Sequence, residues 1–154
     1  MKLGYVTFHQ TLQRVAFVVL LGLCLVRTAE AGTAMVLTET GNHAFTVELV
    51  DTPADRSKGL MFRREMAAEA GMLFDFKVSE PVHFWMKNTY VSLDMIFIRE
   101  NGIVARVAEN TVPLSTKIVP SREPVRYVLE VVAGTAKRIG LKSGDRVLHT
   151  AIGR

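Results

Sequence analysis

Cysteine is almost absent from this 154-residue chain, and its one occurrence, Cys24, falls inside the apolar run Val15–Val26. A domain lying beyond that run therefore has no thiol for a disulfide, for a nucleophile or for a metal site. Tryptophan is as scarce, with Trp85 alone. The formal net charge is +4, yet no Lys/Arg cluster of the kind that grips nucleic acid is visible, so nucleic acid is not expected as a partner. GxSxG elbows, Gly-rich phosphate loops and HExxH are missing too. His43, His83 and His149 lack metal-ligand spacing, and we expect neither a metal nor a cofactor.

What is present begins with an address. Val15–Val26 is an apolar run of twelve residues, short of the roughly 20 that a membrane-spanning helix requires. Lys2 and Arg14 precede it and Ala29-Glu30-Ala31 follows, which is the arrangement of a cleavable secretory signal. We expect residues 1–31 to be a signal peptide and residues 32–154 to be the domain. The expected location is periplasmic or secreted, with no stable membrane span after cleavage. Retention as an anchor is the alternative, because Arg27 lies close to the run. Leu23 stands before Cys24 where a lipid-attachment site has a small residue, which weighs against a lipoprotein. Cleavage removes Lys2, Arg14, Arg27 and Glu30, so the charge falls from +4 to about +2.

Beyond the signal, short apolar runs are separated by turn residues. Met35–Thr40 and Ala44–Val50 read as a hairpin around Gly41-Asn42-His43. Thr52, Pro53 and Asp55 form a helix start, with a hydroxyl cap, a proline at the first position and an acid three residues after the cap. That helix is expected to reach Leu60 or Met61. Glu65–Ala70 reads as a second short helical segment or an irregular loop. Met72–Phe76, Val82–Lys87, Leu93–Arg99, Ile103–Val112, Arg126–Val132 and Arg146–Thr150 suit strands, Asn101-Gly102 predicts a type I′ turn, and a helical turn fits before Gly140. The expectation is a mainly β, single-domain sandwich or barrel-like fold with one or two short helices.

Two near-copies of one tetrad, Gly59-Leu60-Met61-Phe62-Arg63 and Gly71-Met72-Leu73-Phe74-Asp75-Phe76, stand before Phe84-Trp85-Met86-Lys87-Asn88-Thr89 and Leu93-Asp94-Met95-Ile96-Phe97. This series resembles the signature of a bacterial and archaeal family, domain-of-unknown-function family 192, and the likeness extends from about Phe45 to Val147. The resemblance implies no biochemistry, since that family has no established activity.

Chemistry must then be sought residue by residue. Period-two alternation puts Phe84 and Met86 on one face and His83, Trp85 and Lys87 on the other. An imidazole, an indole and an ammonium on an accessible face form a recognition surface for rings, sugars or cations. The plainer reading has Trp85 in the core and Asn88-Thr89 as a turn. Alternation also sets Asp94 beside Ile96 and Ile98, and Glu130 beside Val128 and Val132. Paired buried acids can act as general acid and base, or simply form structural ion pairs with Arg63, Arg64, Lys87 or Arg126. Met61, Met66, Met72, Met86 and Met95 offer soft ligands for Cu(I), but core packing explains them better. The expected function is an exported module binding a small ligand, a carbohydrate or another envelope component. Trp85, Lys87, Asn88, Thr89 and Asp94 are its candidate contacts, with Arg63 and Glu130 as electrostatic partners. The alternatives are an acid/base enzyme using Asp94 and Glu130, and a structural envelope partner read through an exposed apolar patch.

Overall fold

A computed structural model describes residues 31–153. Apart from Ala31, the expected signal peptide lies outside the described residues. Seven strands form one curled sheet: β1 (Ala31–Thr38), β2 (Gly41–Val50), β3 (Ala70–Phe84), β4 (Leu93–Ile98), β5 (Val104–Ala108), β6 (Val119–Val132) and β7 (Arg146–Leu148). Their spatial order is β5-β4-β6-β3-β2-β1-β7. All neighbours are antiparallel except β2 and β3. The edges of the curl meet where Ile103 bridges Arg146, so the fold is a half-barrel, mainly β as the turn spacing implied.

The pleat divides the apolar residues between two cores. One draws on every strand, including Val36, Phe45, Leu73, Ile96, Val104, Leu129 and Val147, and fills the inside of the curl. It is capped by α2 (Thr135–Arg138) through Ala136 and Ile139. The other lies on the opposite face of the central strands, where Met72, Phe74, Met95, Phe97 and Val128 pack beneath Leu60 and Met86 from the loops. A strand between two cores is buried on both faces, which is why β4 is apolar almost throughout.

Several expected boundaries move. The first hairpin turns at Glu39-Thr40, so Asn42 and His43 belong to β2. α1 (Pro53–Lys58) is capped by the Thr52 hydroxyl, which accepts from the Asp55 N–H. It stops at Gly59, whose φ of 44° ends the helix before Leu60. Glu65–Ala70 holds no helix. Met72–Phe76 and Val82–Phe84 are parts of one long β3, interrupted where its pairing with β6 slips between Asp75 and Glu80. The turn at Asn101-Gly102 is not type I′. Gly102 alone of the pair has a positive φ, at 84°, and Gly102 N–H donates to Arg99 C=O in a longer, three-residue loop.

Candidate functional site

A cleft of about 420 Å³ opens on the outer face of the sheet, between α1 and the end of β3. Leu60, Met61, Phe74, Phe76 and Phe84 supply its apolar walls. Phe84 is held by edge-on contacts to Phe74, Phe76 and Phe97, with centroids 5.1, 6.0 and 6.1 Å away. Such edge-to-face packing fixes ring orientation, so this wall is rigid. The other wall follows α1. Arg56 reaches across to the Asp51 and Asp75 carbonyls at 2.7 and 3.0 Å and lies over the Phe76 ring.

Glu130 lines this cleft and is 4% exposed. Its register partners on either side are Met72 and Met95, so the carboxyl sits in an apolar row. Among the described residues nothing hydrogen-bonds to it or pairs with it, and burial pushes its pKa up to about 8. Glu130 is thus protonated at neutral pH, a buried acid able to donate as well as accept. Asp75 shows the contrast. Burial opposes its ionisation as well, but hydrogen bonds from Arg126 and Lys77 hold its pKa below the usual carboxylate range. It is Asp75, unremarked in the sequence, that forms the buried ion pair.

The sequence candidates separate. Trp85 and Thr89 line the cleft with Glu130. Trp85 is 45% exposed, which removes the reading in which it is core, and Lys87 stands over its ring at 5.3 Å. Asn88 shapes the loop, with a φ of 58° and a carbonyl accepting from Phe62 N–H at 2.8 Å. Arg63 lies elsewhere, paired through both guanidinium nitrogens with Glu48, and so is not a partner of Glu130. Asp94 is the larger correction. It is opposite Val131 in register whereas Glu130 is opposite Met95, so the pleat sends the two acids to opposite faces. Asp94 accepts from the Asn110 and Ala136 N–H groups, both at 2.8 Å, and anchors α2 on the inner core. The two cannot act as an acid/base pair.

Sequence reading missed Arg56, Phe76 and Glu80 as cleft residues. Alternation along β3 could have placed Phe76 and Glu80 only if the slip after Asp75 had been visible. Among the described residues no group of three or more His, Cys, Asp or Glu is placed to hold a metal ion. Met72, Met86 and Met95 are buried core residues, and the Met86 sulfur accepts from the Thr111 hydroxyl at 3.2 Å.

Fold and cleft together define a small curled-sheet domain with a rigid aromatic cleft and an unpaired acid at its base. Residues 35–149 match domain-of-unknown-function family 192 (DUF192, "Uncharacterized ACR"), and the chain belongs to that family. A crystal structure from Sinorhizobium meliloti 1021, of a protein provisionally described as a transcription regulator, is similar. Its TM-score is 0.79 at 48% identity, over 81% of this chain and 98% of that one. A crystal structure of a protein of unknown function from Novosphingobium aromaticivorans DSM 12444 gives 0.77 at 38% identity, over 80% of this chain and 89% of that one. No curated protein matches the chain.

Proposed function

We propose that the chain is an exported module that binds a small ligand, with a carbohydrate or another ring-bearing envelope component as the favoured class. The observation that carries this reading is Glu130, a largely buried acid that opens into an aromatic cleft and to which no described residue hydrogen-bonds. A buried polar group without a partner lowers the stability of the fold, and a ligand hydroxyl or amide reaching it would remove that penalty. Trp85 at the rim offers a flat face to a ring, and the Thr89 hydroxyl adds a second polar group. Loss of Asp94 from the site weakens the enzymatic alternative, since Glu130 would then need a partner from Glu80 or His83 in the same cleft.

A melting-shift screen with envelope sugars and short peptides tests the reading, because a ligand bound only by the native state raises its melting temperature. The expected result is a hit that is lost in Trp85→Ala. That substitution should itself change stability little, by about 1 kcal/mol or less at so exposed a position. A hit retained in both Trp85→Ala and Glu130→Gln would place binding elsewhere and overturn the assignment.

A further inference from the structure

Six of the eight large apolar side chains exposed among the described residues lie in three loops, α1–β3, β3–β4 and β5–β6. They are Phe62, Trp85, Tyr90, Val112, Leu114 and Ile118, with Val112 68% and Phe62 61% exposed. Backbone bonds join the three loops that carry them. Phe62 N–H donates to Asn88 C=O at 2.8 Å, Leu114 N–H to Thr89 C=O at 3.0 Å and Met86 N–H to Ser115 C=O at 2.9 Å. The loops that carry these exposed side chains are therefore neighbours. Phe62 and Leu114 stand at φ of 66° and 62°, a region that bulky residues rarely occupy, and both present their side chains to solvent.

Cations accompany this surface. Arg64 lies over Tyr90 and Lys87 over Trp85, each 5.3 Å from the ring centroid. Beside Val112 and Ile118 a hollow of about 400 Å³ is lined by Arg106, Lys117 and Arg122, with Glu109 as its acid. Burial, and then the neighbouring Arg122 charge, pull the Arg106 guanidinium below its usual pKa. Such crowding of like charges leaves the hollow electropositive and ready for an anion. Exposed apolar loop residues, Trp and Tyr among them, and flanking cations are together what an interface between anionic headgroups and acyl chains favours.

We propose that these neighbouring loops dock on the surface of an anionic phospholipid bilayer, with Val112, Leu114 and Phe62 entering the interface and Lys117 and Arg122 receiving a headgroup phosphate. The inference does not depend on a ligand in the cleft. It places Trp85, and with it the mouth of the cleft, at the membrane surface.

Trp85 is the only tryptophan, so its emission reports on this surface alone, even in the full chain with its apolar N-terminal run. The full chain is mixed with vesicles of phosphatidylglycerol and phosphatidylcholine carrying brominated acyl chains. The expected result is a blue shift and bromine quenching. Phosphatidylcholine alone should give much less of either, as should Val112→Ser/Leu114→Ser, whose melting temperature should match the parent's. Lys117→Ala/Arg122→Ala should weaken binding roughly tenfold or more, since each surface cation contributes to the attraction. Chain that sediments with vesicles while Trp85 stays unquenched would assign membrane binding to the N-terminal run and overturn the proposal. Equal quenching in Val112→Ser/Leu114→Ser would overturn it too. A blue shift that needs only higher protein concentration and no lipid would mean that a second copy covers the surface instead.

Discussion

Asp94 and Glu130 are acids on adjacent strands, and the pleat gives them opposite roles. Asp94 accepts from the buried Ala136 N–H and from the N–H of exposed Asn110, so its truncation orphans the first and leaves the second to water. Asp94→Ala should lower the unfolding free energy by roughly 1–3 kcal/mol, the cost of one buried orphaned donor, as measured by urea denaturation. An Asp94→Ala protein as stable as the parent would contradict the anchoring role. Glu130 has no such partners, and replacing it by a side chain that cannot ionise should move stability the other way as pH rises. That both residues would be buried was legible from their apolar neighbours at period two. What each would bond was not, because the partners of Asp94 are backbone groups from Asn110 and Ala136 that no spacing announces. Arg63 shows the same limit, since its partner Glu48 comes from β2, across the parallel pairing.

Elements were legible where local chemistry decides them. Thr52-Pro53 at the helix start has that character, because a hydroxyl cap and a fixed φ act within one turn. The joining of two apparent strands into β3 depended instead on β6, whose pairing continues past the slip at Asp75. The Asn101-Gly102 loop misled because the favoured two-residue hairpin competes with a longer one that lets Gly102 meet β7. Gly102 C=O accepts from Val147 N–H at 2.8 Å, and a Cβ on Gly102 would lie 2.7 Å from the Val147 carbonyl oxygen. Gly102→Ala thus combines a strained φ of 84° with a backbone clash at the barrel seam. The expected loss is about 1–3 kcal/mol, with hydrogen exchange fastest in β7 and the β4–β5 hairpin. Uniform exchange with no loss of stability would mean that the seam does not help to close the barrel.

The whole molecule is a two-core fold that carries one acid whose burial works against it. The sign follows from linkage. In the unfolded chain Glu130 titrates near 4.5 and in the folded chain near 8, so its full contribution to stability is present below about pH 4.5 and is lost as pH rises toward 8. By pH 7 the loss is about 3 kcal/mol, a large part of a small domain's total stability. A protein retains such a liability where the group serves a ligand, as substitutions that relieve functional strain commonly raise stability. The direct test is the melting temperature of Glu130→Gln against the parent between pH 4 and 8, without ligand. The two should melt together near pH 4, and the variant should melt progressively higher as pH rises. A variant that melts lower than the parent at pH 8 would show that Glu130 is an ionised, partnered structural acid, and the cleft would lose the residue on which its assignment rests.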